Sequence, residues 1–307
     1  MRVKMAQMEG KMKLITYKLN ENGNELIGIL SKDEQKIYPI GQFDIYYSSM
    51  NDLIENISDA ELELLKSKNG KDFEQFVFRD NTIKTSPITH PKQDILCLGI
   101  NYMAHAEESA RYKAEAFGGE RPNAVYFSKR VNESVADGGV VPVYEGLVDS
   151  LDYEAELALI ISKDAKNVSE QNAFDYVFGY TIMNDISARN LQTTHKQWYF
   201  GKSLDGFTPL GPVIVTKDEF ENPPNLAIKS YVNGELRQDS NTNLLIFGIA
   251  HVISELSQGM TLKAGTIISM GTPAGVGMGF TPPRFLKKGD IVVCEIQGIG
   301  TLTNTIN

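Results

Sequence analysis

Apolar residues in this chain recur in short blocks, separated by glycine, proline, asparagine and charged residues. From Met12 to about Ile40 the blocks KLITYKL, ELIGIL and KIYPI read as strands, with turn chemistry at NENGN and KDEQ. Residues 51–78 read as helical, because NDLIENI and DAELELLKSK place apolar residues at helical spacing, with Asn51 and Asp59 as candidate caps. The segment RDNTIKTSPITHPKQD is polar, carries two prolines and reads as a linker. These patterns predict a small N-terminal α+β domain over residues 1–88, opening with a ragged extension over 1–11, and a second domain over 89–307.

The texture changes from Ile95 onward. The runs ILCLGI, AVYFS, ELALIIS, GYTIMN, PVIVT, AIKSYVN, TIISM, IVVCEI and IGTLTNTI all read as strands. Helical stretches are fewer, at about 102–116, 169–176, 187–193 and 244–258. Strands do not alternate regularly with helices of ~10–15 residues, so a Rossmann or barrel architecture is disfavoured. A β-rich α+β fold is the expectation.

Bulk composition narrows the function classes. The chain has 307 residues, 42% hydrophobic and 22% charged, which is ample for a core. A net charge of −9 and a pI near 5.1 argue against nucleic acid as a partner, since phosphates call for a basic face. No run approaches ~18 consecutive apolar residues, so no membrane span is expected. MRVKMAQMEGKMKL lacks the apolar core of a secretory signal, and cytoplasm follows by default. Cys97 and Cys294 each sit in an apolar run and read as small buried hydrophobes.

The chemistry concentrates in DYEAELALIIS, residues 152–162. Strand side chains alternate faces, so Asp152, Glu154, Glu156 and Ala158 share one face. Glu154 and Glu156 then stand about 7 Å apart at Cβ, and neighbouring carboxylates repel, more so when buried. Either this is a solvated edge face, or something positive sits over it. A second segment, GYTIMNDISARNLQ, reads as a strand, a polar corner and a short helix from about Ser187, with Asp185 at the corner as a helix cap or a third carboxylate. Three carboxylates with no cysteine or histidine beside them in sequence suit a hard cation, Mg²⁺, Mn²⁺ or Ca²⁺, rather than zinc. In SARYKAEAFGGERP, residues 109–122, polar residues and adjacent glycines suggest a lid. GVGMG at 275–279 superficially suggests a dinucleotide loop, but FTPPRFLKKGD follows it with no helix to receive a pyrophosphate. No G-x-S-x-G is present, so a serine hydrolase is not expected.

In order, GINYMAHAEE, LDYEAELALII, NDISARNLQ, GKSLDGFTPLGP, GTPAGVG and FLKKGD resemble the fumarylacetoacetate hydrolase family, in its shorter bacterial form, over roughly residues 90–307. The resemblance implies a mixed β-roll, a homodimer, a divalent metal, and cleavage or rearrangement of small 2-oxo acids. It assigns Glu154, Glu156 and Asp185 as metal ligands. It assigns His105 and Glu108 as a catalytic pair, Glu107 being the adjacent competitor; positions three apart share a helix face, which favours Glu108. Lys202 corresponds to the lysine that meets the substrate, and Thr272 to a residue beside the substrate carboxylate. Arg189 and Gln192, three apart on a helix, either reach a substrate carboxylate or form an exposed face. His90, His195 and His251 lack motif context and read as linker, loop and helix residues. Met270 departs from the family's usual threonine before GTP. The expected activity is metal-dependent hydrolysis of a C–C bond in an acylpyruvate-like acid. The alternatives are an isomerase or decarboxylase of unsaturated 2-oxo dicarboxylates or oxaloacetate, suggested also by NLQTTHKQW, and a non-catalytic 2-oxo acid binding protein that would lack the His–Glu pair.

Overall fold

The apolar runs of the second half pair into two sheets, the larger of which has central strands buried on both faces. The computed structural model describes residues 11–113 and 123–307. Its largest sheet has eleven strands among the described residues. Their order is Val77–Phe78, Lys36–Pro39, Leu26–Leu30, Lys13–Lys18, Leu210–Thr216, Val177–Asn184, Ala155–Ile161, Ile267–Ser269, Ile95–Gly99 and Val125–Lys129, and Ile83–Lys84 pairs with Lys13–Lys18. A second sheet orders Glu235–Asn241, Ala227–Val232, Ile291–Ile296, Gly300–Ile306 and Val140–Val141. Strands buried on both faces need continuous apolar sequence rather than strict alternation. AELALII and VFGYTIMN meet that need, and every residue in them is buried.

Side-chain alternation splits the core in two. Leu157, Leu159 and Ile161 join one cluster with Ile228, Val292, Cys294 and Leu302 of the second sheet. Ala158 and Ile160 join the other, with Met12, Leu14, Leu53 and Ile54. Glu156 has the parity of Ala158 and Ile160, so it stands at the end of that second row. The large sheet runs across the expected domain boundary: Lys13 pairs with Val215 and Leu14 with Ile214. The expected linker is packed rather than solvated. Ser86, Ile88 and Thr89 are buried, and the Thr16 hydroxyl donates to the Pro87 carbonyl at 2.8 Å.

Several local expectations change. The helical region over 51–78 resolves into α1 (Met50–Asn56) and α2 (Asp59–Lys68), and Val77–Phe78 is a strand. Its caps are Ser49 and Ser58, not Asn51 and Asp59. The serines take the extended backbone of a cap, and each hydroxyl accepts an amide from the first turn. Ser58 completes a reciprocal box, since its own N–H donates to the Glu61 carboxylate at 2.9 Å. The third helix, α3 (Met103–Lys113), matches the expected start near 102, and residues 114–122 of the expected lid lie outside the described residues, as do 1–10 of the expected extension. Ser187–Ala188 is a short strand paired with Leu151–Asp152, so α4 begins at Arg189 and runs to Thr194. Tyr199–Lys202 forms α5, and α6 spans Ile249–Gly259, starting later than expected. Cys97 and Cys294 are free and buried, one in each cluster. No helix among the described residues is long and apolar enough to cross a membrane.

Two substitutions test the packing of the N-terminal helices. Ser58→Ala is expected to lower stability by about 1 kcal/mol through loss of the cap. Leu53→Ala, fully buried where α1 meets the sheet, is expected to cost roughly 2–5 kcal/mol. Urea unfolding followed by circular dichroism measures both; a Leu53→Ala midpoint equal to wild type would contradict this packing.

Candidate active site

The sheet register brings the acidic residues together. Ala155 pairs with Asn184, so the start of one strand lies beside the end of the next. Glu154 immediately precedes the first strand, and Asp185 immediately follows the second. The Glu154 N–H donates to Asn184 Oδ1 at 3.0 Å, and the Asp185 N–H to the Glu154 carbonyl at 2.9 Å. One carboxylate oxygen from each of Glu154, Glu156 and Asp185 lies within 4.8 Å of the others, and all three residues are buried. The solvated-edge reading of this face is therefore excluded.

Three cations answer the charge. Lys202 Nζ lies 2.8 Å from Glu154 Oε2 and 2.6 Å from Asp185 Oδ2. Lys129 Nζ lies 2.6 Å from Asp185 Oδ1 and donates to the Ile186 carbonyl at 3.0 Å. Arg189 reaches Glu154 Oε1 at 2.7 Å and Asp152 Oδ2 at 2.9 Å. Burial pushes the Glu154 carboxyl up, but Lys202, Arg189 and His105 outweigh it and hold its pKa at about 2. Glu156 fares differently. It accepts hydrogen bonds from the Ser269 hydroxyl and the Gly271 N–H, but among the described residues no lysine or arginine pairs with it. Burial, and then the charges of Asp185 and Glu154, push its pKa well above the usual carboxylate range. A buried carboxylate with no cation of its own, converging with two others, is what a divalent ion would satisfy. The donor set, oxygen throughout, fits Mg²⁺, Mn²⁺ or Ca²⁺.

The His–Glu pair stands beside this cluster. On α3, His105 Nδ1 is 2.9 Å from Glu108 Oε2, and both residues are only 5% exposed. Glu107 faces solvent. A carboxylate only accepts, so it is Nδ1 that carries the proton between the two side chains, leaving Nε2 as the ring's other nitrogen. Glu108 is fixed from behind, its Oε1 accepting the Gly275 N–H at 3.0 Å. A β-carbon on Gly279 would fall 1.9 Å from that same oxygen, so only glycine leaves room for it.

GVGMG thus serves an internal purpose. Beyond Gly275, the N–H groups of Gly277 and Met278 donate to the two carboxylate oxygens of Asp152, at 2.7 and 3.0 Å. Asp152 in turn holds Arg189, whose guanidinium donates to Gln192 Oε1 at 3.0 Å. Arg189 is buried and braces protein carboxylates, whereas Gln192 is half-buried. The Thr272 hydroxyl donates to the Ala155 carbonyl at 3.0 Å and accepts from Gln238 Nε2 at 2.7 Å.

A cavity of about 230 Å³ is lined by His105, Glu154, Glu156, Arg189, Gln192, Lys202 and Thr272. Glu108 lies behind His105, and Asp185 is held by the two lysines. All nine expected site residues therefore meet in one region. The volume is below the ~300–1,000 Å³ of pockets for drug-sized ligands and suits a small acid. His90, His195 and His251 stay outside: His90 Nδ1 contacts the Asn132 carbonyl, His195 packs edge-on against Phe200, and His251 on α6 stacks on Phe247. Met270 is wholly buried in the first core cluster, so its departure from the family pattern does not face the cavity.

Sequence reasoning missed three participants. Lys129 ends the strand Val125–Lys129, whose other residues are exposed or half-buried, so nothing in the sequence marked this lysine as the one turned inward. Asp152 shares the face of Glu154 and Glu156, which could have marked it. Gln238 arrives from the second sheet, and nothing in ELRQDSN distinguishes it.

Three converging buried carboxylates, a hydrogen-bonded His–Glu pair and a small cavity on a strand-rich α+β fold are the arrangement of an enzyme site. The chain belongs to the fumarylacetoacetate hydrolase family: the profile of the fumarylacetoacetate (FAA) hydrolase C-terminal region matches residues 94–307. It is 40% identical over 292 residues to the oxaloacetate tautomerase YisK of Bacillus subtilis, covering 92% of this chain and 93% of that protein. A fumarylacetoacetate hydrolase from Exiguobacterium antarcticum superposes with a TM-score of 0.78 at 35% identity, covering 96% of this chain and 99% of that one. A fumarylpyruvate hydrolase from Pseudomonas aeruginosa, solved in complex with Mn²⁺ and pyruvate, superposes with a TM-score of 0.62 at 27% identity, covering 77% and 93%.

Gly279→Ala tests the brace behind the dyad. It is expected to displace Glu108 and lower turnover about 10²-fold, the scale of a lost acid–base contribution, with the melting temperature little changed. Steady-state rates and a thermal melt measured together check this; wild-type turnover in the variant would show that the Gly275–Gly279 loop does not fix the pair.

Proposed function

We propose that this protein is a divalent-metal-dependent keto–enol tautomerase of a small 2-oxo dicarboxylate of the oxaloacetate kind. The observation that carries the reading is the assembled His105–Glu108 pair on the same small cavity as three buried carboxylates. The 40% identity to a protein named as an oxaloacetate tautomerase supports the substrate class. Keto and enol forms differ by one proton, moved between C3 and the oxygen on C2, so the reaction needs one positioned base and stabilisation of negative charge on that oxygen.

The chain supplies both. In the enolising direction His105 Nε2 takes the C3 proton and the imidazolium returns it to the C2 oxygen, ketonisation being the same transfers in reverse, and Glu108 holds the ring in the tautomer that makes Nε2 basic. Lys202 places a positive charge beside the oxygen that becomes negative. Thr272 and Gln192 line the cavity and offer polar contacts to the substrate's carboxylate. A divalent cation held by Glu154, Glu156 and Asp185 would supply Lewis-acid stabilisation of charge on the substrate oxygens. Mg²⁺ and Mn²⁺ both suit this ligand set, and the related fumarylpyruvate hydrolase was solved with Mn²⁺.

The same dyad favours a second reading, hydrolysis of a C–C bond in an acylpyruvate-like acid. There His105 would take its proton from water, and the leaving fragment would depart as an enolate. The presence of the pair speaks against a non-catalytic binding protein, which would lack it.

The test is to follow the enol absorbance of oxaloacetate with metal-stripped protein, with and without Mg²⁺ or Mn²⁺, and acetylpyruvate in parallel. Metal-restored ketonisation of oxaloacetate is the expected result. His105→Asn is expected to lose about 10²–10⁴-fold in rate yet still bind Mn²⁺ by calorimetry, and Glu156→Ala to lose the binding. Metal-dependent cleavage of acetylpyruvate without any effect on oxaloacetate would replace this reading with the hydrolase.

A further inference from the structure

The cavity wall carries one basic side chain that the carboxylate network does not use. Among the described lining residues the cations are Arg189, Lys202 and Lys196. Arg189 and Lys202 are each bound to two protein carboxylates. Lys196 has no ion pair or side-chain hydrogen bond to any described residue, and it lies on the exposed rim of the cavity. Lys129 lines no part of the cavity and is held by Asp185.

The backbone at Lys196 is also unusual. α4 ends at Thr194 with His195 as its cap, and the chain then turns through Lys196 at φ 60°, its N–H donating to the Thr193 carbonyl at 3.3 Å. This is the left-handed position after a helix where glycine or asparagine is favoured, because a β-carbon is crowded there. A lysine in that place keeps a side chain at a conformational cost. The turn also sets the segment that follows, and Trp198 lies against the backbone at Gly99, where a β-carbon would fall 2.1 Å from its ring. Trp198 and Gln192 line the same cavity on either side of Lys196 in sequence.

Resting on the tautomerase reading, we infer that Lys196 is a specificity residue that binds the far carboxylate of a dianionic 2-oxo acid. The deep end of the cavity is negative and already neutralised by its own lysines and arginine. A substrate whose chelating end is placed there directs its second carboxylate toward the rim, and Lys196 is the uncommitted positive charge among the described residues of that rim. Monoanionic 2-oxo acids would lack this contact, so charge, not size alone, selects the substrate.

The test uses Mn²⁺-loaded full-length protein and two inert 2-hydroxy acids that differ by that carboxylate, malate and lactate, titrated by calorimetry. Oxaloacetate ketonisation is measured alongside. Wild type is expected to bind malate about tenfold tighter than lactate, the scale of one charge-assisted hydrogen bond. Lys196→Gly relieves the left-handed backbone, so a folding defect cannot explain its result. It is expected to bring the two affinities together by weakening malate and to raise KM for oxaloacetate more than it lowers kcat. Lys196→Arg is expected to restore the preference. An unchanged malate-to-lactate ratio in Lys196→Gly, or equal loss of both acids, overturns the assignment and leaves the tautomerase reading standing if oxaloacetate still turns over. A wild-type protein that neither binds these acids nor acts on oxaloacetate overturns both.

Discussion

Everything near the cavity depends on keeping three carboxylates buried side by side at the crossing of two strands. Unpaired, each would carry a desolvation cost large enough to neutralise it. The register of Ala155 against Asn184 places Glu154, Glu156 and Asp185 within reach of one another. Lys129 and Lys202 then grip Asp185 from both of its oxygens, and Arg189 shares Glu154 with Lys202. The lysines come from the end of a sheet strand and from a short helix, so the charge network ties the edge of the sheet to the segment that follows α4. Among the described residues Glu156 has only neutral donors, and that imbalance is the clearest sign that a cation belongs there.

The second organising contact is the Gly275–Gly279 loop. Its amides hold Glu108 and Asp152, one behind the dyad and one beneath Arg189. A single turn therefore couples α3 to Asp152, two residues before Glu154. The coupling requires glycine, since a β-carbon at Gly277 or Gly279 would enter the space of those carboxylates. A glycine-rich run usually invites a phosphate reading; here backbone donors meet the protein's own acids.

Much of the strand content was legible because doubly buried strands need long apolar runs, as in AELALII and VFGYTIMN. Boundaries were less so. Helical spacing over 51–78 did not reveal that the second helix stops at Lys68, and Val77–Phe78 pairs with Lys36 and Ile37, a partner some forty residues away that local pattern cannot report. The caps were misplaced by one or two residues, because Ser, Asn and Asp all suit a cap and the backbone turn chooses among them.

The sequence by itself determined the chemical inventory. An E-x-E on one strand face and an aspartate at a strand end follow from periodicity, whereas the family was marked by its motifs in order, and that resemblance supplied the His105–Glu108 pair. Tertiary structure decided what each residue does. Lys129, Asp152 and Gln238 became part of the site only when distant strands met, and Arg189, expected either to reach a substrate carboxylate or to form an exposed face, lies buried against two acids at the cavity wall. Periodicity fixes which face a side chain takes, but partners across a sheet depend on register, and register is set by the packing of the whole core.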